Sequence, residues 1–317
     1  MMSMVCREVG QNSAPVWRDA HTRPAIMAKV AVDLQEASGF ENLGVPFCMT
    51  VETEALGGKI DYGDYATEPR VTGYVLNAPG ELNRLVFKGT HTGGRMPVVL
   101  EAISILKQQK KDLPIVGNLT GPVSLATSLM DPNVFLRLMV KDKPFVRELM
   151  RFCTEVIAAF GEAQVRAGAD VISIGDPTAS GEIVGPQFFQ EFVAPALQDI
   201  AGRIKLQGGR TILHICGNIE SILPYIPGVG ADALSFESAM SIKTVRSKMG
   251  ASVLMGNVST FLLAWGPRSS IVRSTERAIR EGIDIVSPAC GLGSGTPAEN
   301  LRAMTDAVRS RRASRKD

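Results

Sequence analysis

The feature that most constrains this chain is an alternation of short β-branched runs with longer helical patterns. Strand-like runs stand at Val45–Val51, Pro114–Leu119, Asp170–Ile174, Thr211–Ile215, Ala233–Phe236, Ser252–Met255 and Asp284–Val286. Between them, apolar residues at three- and four-residue spacing predict helices over Ala25–Ser38, Val98–Lys107, Phe145–Ala167, Pro186–Arg203, Ser241–Lys248, Ser269–Glu281 and Pro297–Ser310. Pro186 and Pro297 fall in first turns, where proline is tolerated. This alternation argues for parallel βαβ units. Met1–Val5 reads as the tail of a further, first strand that is truncated at the start of the chain. With it, the 317 residues match the size of a single (β/α)8 TIM-barrel domain over 1–317 rather than two domains. A doubly wound sheet would carry a glycine-rich phosphate turn after an early strand. Here Val45–Val51 is followed by Glu52-Thr53-Glu54, which repels a phosphate. The turn Gly291-Leu292-Gly293-Ser294-Gly295 comes late and lacks dinucleotide or Walker spacing.

One region breaks the alternation. Gly57–Gly94 is dense in turn signals, including Gly57-Gly58, Asp61-Tyr62-Gly63-Asp64-Tyr65 and Pro79-Gly80. It reads as an insertion after the second strand, with a small hairpin, lying over the barrel mouth. The basic segment 309–317 is expected to be a frayed, disordered tail.

Charge and composition exclude several partners. Thirty-four basic and 32 acidic residues leave a net charge of +2, and aromatics are only 6%, so nucleic acid is not an expected partner. No apolar run is long enough to cross a membrane, and no signal peptide opens the chain. Five cysteines, an odd number in a long chain, argue against a disulfide framework and for the reducing cytoplasm.

In a barrel, residues that carry chemistry lie at the C-terminal ends of strands. Polar groups recur there: Thr50, Glu52 and Glu54 after the second strand; Asn118 and Thr120; Asp176 and Thr178; His214 and Cys216; then Glu237, Asn257 and Cys290. The sharpest element is His214-Ile215-Cys216. Residues two apart in a strand share a face, so imidazole and thiol can converge. Cys290 can complete a His/Cys/Cys set, which favours Zn²⁺ and leaves a fourth position for exchange or for Glu237. Spacing alone leaves open that the pair is structural, since free cysteine is commonly a small buried hydrophobe. Cys48 and Cys153 are expected to be structural, Cys6 lies in a frayable segment, and His21 and His91 are expected at the surface.

His214-Ile-Cys-Gly-Asn218, Gly175-Asp-Pro-Thr-Ala-Ser-Gly181, Gly256-Asn-Val258 and Cys290-Gly-Leu-Gly with Thr296-Pro297 and Asn300 resemble the zinc-dependent methylcobamide:coenzyme M methyltransferases. These belong to the uroporphyrinogen decarboxylase-like superfamily of barrels. The resemblance covers nearly the whole chain, most clearly Pro114 to Ala307. It implies His214, Cys216 and Cys290 as zinc ligands and Glu237 as an acidic residue able to occupy the fourth site. It places Asp176 and the turn Thr178–Gly181 at the pocket rim. It implies a methylcobamide (corrinoid) donor carried on a partner protein and a small-molecule methyl acceptor, a thiol such as coenzyme M, with tetrahydrofolate as the other acceptor. Asp176 is then a catalytic candidate beside Glu237, and Asn118, Thr178 and Asn257 are candidates to orient the acceptor. The arginines and the Phe-Ser-Asp turn of true uroporphyrinogen decarboxylases are not found; the corresponding stretch reads Phe47-Cys-Met-Thr-Val-Glu52. A cofactor-free decarboxylase and a non-catalytic corrinoid- or tetrapyrrole-binding barrel are the competing expectations.

Overall fold

The computed structural model describes residues 17–65 and 67–313. Among them, β1 (Leu43–Val45), β4 (Ile115–Thr120), β5 (Val171–Gly175), β6 (Arg210–Ile215), β7 (Ala233–Phe236), β8 (Val253–Val258) and β9 (Ile285–Pro288) form one sheet in that order. Every pairing is parallel. The intervening β2 (Lys59–Asp61) and β3 (Arg70–Gly73) pair antiparallel as a separate hairpin. Helices alternate with the sheet strands, so the sheet curls as in a (β/α)8 barrel. The strand expected over Met1–Val5 lies outside the described residues.

Apart from exposed first residues of β6, β8 and β9, most strand residues are shielded, as parallel strands between a barrel interior and a helix layer must be. β4 and β5 expose almost nothing, and Phe47, Phe160, Phe189 and Phe236 are among the largest fully buried side chains. The long helix Lys143–Ala167 packs on β4 and on the helix Ala194–Leu206. Asp142 caps its start by accepting from the Phe145 N–H, and Gly168, at φ 118°, ends it.

Three expectations are corrected. The run Val45–Val51 is not a strand throughout. Pairing stops at Val45 opposite Gly117, because Pro46 has no N–H to continue the ladder, and Val51–Ala55 is a helix. Glu52 and Glu54 therefore stand on a helix rather than trailing a strand. His21 is not at the surface: it is fully buried between Trp17 and Phe47. The last helix runs Ala298–Ala313, so residues 309–313 are helical, and the Arg309 guanidinium donates to the Gly39 carbonyl at 2.7 Å.

The insertion does contain the expected hairpin, and the Tyr65 hydroxyl donates to the Ser294 carbonyl (3.1 Å) in the loop after β9. At the ends of β4 and β5 the backbone approaches closely. A methyl group on Gly121 would overlap the Asp176 side chain, which is fully buried. We predict that Gly121→Ala destabilises the fold by about 1–3 kcal/mol, as overpacking of a filled core does. Denaturant titration with an unchanged m-value checks this; an unaltered midpoint contradicts it.

Candidate metal centre

Parallel register sets this site. His214 lies opposite Gly175 on one side and Ser235 on the other. Its Nδ1 is 3.0 Å from the Ser235 hydroxyl, which leaves Nε2 facing the thiol of Cys216 at 3.2 Å. Beyond Ile215 the chain turns at Gly217 (φ 70°), a left-handed conformation that favours glycine. The Cys216 and Cys290 sulfurs are 3.3 Å apart. The three donor atoms of His214, Cys216 and Cys290 lie within 4.8 Å of one another. His214 is buried and the two cysteines are half-buried.

Two thiols this close share a proton. The hydrogen bond donated by Cys216 pulls Cys290 down to about 4, with help from His214 and the Gly291 N–H. The same bond, with burial and the negative charges of Cys290 and Glu237, pushes Cys216 far up. Removing the second proton therefore requires a cation. An imidazole nitrogen with two thiolates is the soft, borderline donor set that zinc takes. Glu237 stands beside this set, its Oε2 accepting from the Gly217 N–H at 2.7 Å. That bond fixes one of its two carboxylate oxygens.

The other expected residues are placed differently. Asp176 is fully buried and accepts from the Val123 N–H (3.1 Å), the Ser124 N–H (2.8 Å) and the Ser124 hydroxyl (2.7 Å). It thereby caps the helix Pro122–Leu129, and burial pushes its carboxyl up to about 6. The Thr178 hydroxyl lies 3.0 Å from that of Ser124. The Asn118 amide donates to the Pro46 carbonyl at 3.0 Å. The Asn257 amide donates to the carbonyls of Met240 (3.2 Å) and Glu237 (3.4 Å), tying down the loop that carries Glu237. His214, Cys216 and Cys290 are thus gathered at one point, Glu237 is held nearby by Gly217, and the other four are engaged in the scaffold around it.

A second buried polar network was not anticipated. Arg95, almost fully buried, donates to Glu54, to the Thr50 hydroxyl (2.7 Å) and to the Cys48 sulfur (3.4 Å), with Tyr62 over its face at 4.9 Å. The Tyr62 hydroxyl also donates to Glu54 (2.6 Å). Glu52 is buried beside it and accepts from the Thr120 N–H (2.8 Å) and hydroxyl (2.9 Å). No local motif marks these residues: Arg95 stands at the start of the helix Met96–Gln109 and Glu54 on the helix Val51–Ala55, and only tertiary contact joins them. Ser235, in the apolar run Ala-Leu-Ser-Phe, was missed although it neighbours His214 across the ladder.

Comparison with known proteins agrees with this architecture. The sequence model of the uroporphyrinogen decarboxylase (URO-D) family matches residues 1–311. The methylcobamide:CoM methyltransferase MtaA of Methanosarcina barkeri is 35% identical over 92% of this chain and 86% of its own. The methylcobamide:CoM methyltransferase MtbA of Methanosarcina acetivorans is 32% identical over 94% of this chain and 88% of its own. The solved structure of a methyltransferase from Methanosarcina mazei superposes with a TM-score of 0.90 at 34% identity, covering 98% of this chain and 94% of that one.

Glu52 carries a pH consequence. Burial outweighs its bonds to Thr120 and raises its pKa from 4.5 to about 7. A carboxyl raised in the fold contributes stability fully below its unfolded pKa and loses it as pH rises through the folded value. Two to three pH units correspond to roughly 3 kcal/mol. The melting temperature should therefore fall between pH 5 and pH 8.5, and Glu52→Gln should make that decline shallower. An identical decline in the variant, measured by calorimetry, counts against this assignment.

Proposed function

The chain belongs to the uroporphyrinogen decarboxylase (URO-D) family, in the part that holds the methylcobamide:CoM methyltransferases, and from that premise we propose that it transfers a methyl group from a methylcobamide to a thiol. The observation that carries this reading is the convergence of His214, Cys216 and Cys290 at the C-terminal mouth of the barrel, with Glu237 beside them. A cofactor-free decarboxylase has no use for such a donor set. When bound there, zinc lowers the pKa of a coordinated thiol so that it is held as thiolate near neutral pH.

The chain's own residues do the rest. Ser235 fixes the imidazole so that Nε2 faces the thiols. Gly217 holds one oxygen of Glu237, so that its other oxygen would be available beside a metal held by the three donors. Asn257 keeps the Glu237 loop in place. Asp176 with Thr178, and Asn118, are positioning residues in this reading: they hold the ends of β4 and β5 around the mouth through Ser124 and Pro46. In the overall reaction a sulfur–carbon bond forms and the cobalt–carbon bond breaks. Its electron pair stays on cobalt, taking Co(III) to Co(I), and the thiol proton is released. The methylated corrinoid is delivered on a partner protein that docks over the mouth of the single-domain barrel, with the 57–94 insertion at its rim; the relatives' methylcobamide donor supports this. The relatives' names give coenzyme M as their acceptor, and a thiol suits the proposed zinc site better than the nitrogen of tetrahydrofolate.

Demethylation of free methylcobalamin, followed by absorbance, tests the reading. Activity should require zinc and coenzyme M, should vanish with a chelator, and should not be supported by tetrahydrofolate. His214→Ala, Cys216→Ser and Cys290→Ser should each lose at least about 100-fold, beyond the usual effect of an outer-sphere change. Full activity and zinc content in His214→Ala would overturn it.

A further inference from the structure

The helix Thr260–Trp265 starts two residues past the C-terminal end of β8, so it stands at the mouth of the barrel. It is pinned from within. Ser259 caps it by accepting from the Leu262 N–H (3.3 Å), Leu263 is fully buried, and the Asn300 amide donates to the carbonyls of Leu263 (2.9 Å) and Gly266 (3.3 Å). Yet Phe261 and Trp265, one turn apart on a shared face, are 74% and 68% exposed. Two large aromatic side chains held in water on a fixed helix cost little ordering entropy to bury, which is what an anchor of a protein–protein contact needs.

Charge stands beside the aromatic pair. A cleft of 420 Å³ separates Ser238 and Ser259, in the loops after β7 and β8, from the helix Arg268–Glu281. That helix faces it with Ser270, Arg273, Ser274 and Arg277, a stripe at positions i, i+3, i+4 and i+7. No carboxylate lines the cleft. Arg268 and Arg280 pair with Asp306 and Glu276, but among the described residues Arg273 and Arg277 make no ion pair. Two like charges one turn apart repel, and carboxylates brought by another molecule would complement them. Leu262, in the cleft wall, belongs to the same short helix as Phe261 and Trp265, so the cleft and the rings are neighbours. Asn257, also in that wall, donates to the Glu237 carbonyl beside the candidate metal centre. A carrier that brings a cobalt–carbon bond to a thiol at that centre must cover the loops around it. We propose that Phe261 and Trp265, together with the Arg273–Arg277 cleft, are the docking surface for the corrinoid-carrying partner protein, the rings seating on its apolar side chains and the arginines receiving its acidic ones. This rests on the reading of the chain as a methylcobamide-dependent enzyme, and it assigns the partner a place and a charge.

The probe is the methylated corrinoid protein of a methanol-utilising methyltransferase system, compared with free methylcobalamin, each with coenzyme M as acceptor. The double variant Phe261→Ser/Trp265→Ser should raise the KM for the protein-bound donor at least about tenfold and leave the KM for free methylcobalamin within about twofold. Arg273→Gln/Arg277→Gln should do the same at low ionic strength, with the gap to the unaltered protein closing as salt is raised. A double variant that uses the protein-bound donor as the unaltered protein does overturns the proposal, as do equal losses with both donors. Sedimentation velocity checks the other occupant: a dimer that Phe261→Ser/Trp265→Ser converts to monomer assigns the rings to a second copy of this chain and overturns the proposal. If free methylcobalamin is not demethylated, the functional reading fails, and the surface is decided by equilibrium binding of the unmethylated corrinoid protein. A Kd at least about tenfold higher in both double variants supports it, and an unchanged Kd refutes it.

Discussion

Two sulfurs 3.3 Å apart cannot both be anions without a cation between them or beside them. Much else at the barrel mouth follows from that constraint. The parallel register brings His214 alongside Ser235, so that one ring nitrogen is engaged and the other faces the thiols. Gly217 turns the chain and its N–H holds Glu237 next to the same pair. Without metal the pair settles by sharing a proton, which lowers Cys290 and raises Cys216. A cation held by the three donors would displace that proton, so its affinity would weaken in acid.

Around this point, buried polar groups take the place of apolar packing. Asp176 caps the helix Pro122–Leu129 from the neighbouring strand end, and Glu52 accepts two bonds from Thr120. Arg95 gathers Glu54, Thr50 and Cys48 under the ring of Tyr62. Each is costly to bury, and each is held by several partners rather than one. Their common effect is to fix the segments that follow β1, β4 and β5, beside the strands that carry the His/Cys set.

The barrel and the pairing of His214 with Cys216 were legible because both rest on short-range pattern, whereas Cys290, 74 positions from Cys216, was joined to them only as a residue past the last strand. Strand–helix alternation is local, and the two-residue period of a strand places His214 and Cys216 together before any tertiary contact is known. β7 was read to the residue because Ala233–Phe236 is apolar apart from Ser235 and is bounded by Asp232 and Glu237. What failed depended on contacts between distant segments. The run from Val45 to Val51 is apolar enough for a strand, but Pro46 ends the pairing and the helix Val51–Ala55 follows. His21 stands in a polar stretch, yet it is buried between aromatic rings brought from two segments. Asp176 was recognised as a strand-end residue, but its partners Val123 and Ser124 lie more than fifty positions away. The serine–arginine stripe of the helix Arg268–Glu281 acquires meaning only when Ser238 and Ser259 are placed opposite it.

The central claim is that His214, Cys216 and Cys290 hold a zinc ion with one position that a substrate thiol can enter. X-ray absorption at the zinc edge tests it directly. The zinc-loaded protein should show a first shell of one nitrogen, two sulfurs and one oxygen, from the three donors and Glu237. Adding coenzyme M should replace the oxygen by a third sulfur at about 2.3 Å. A shell whose sulfur count is unchanged by the thiol would contradict the account.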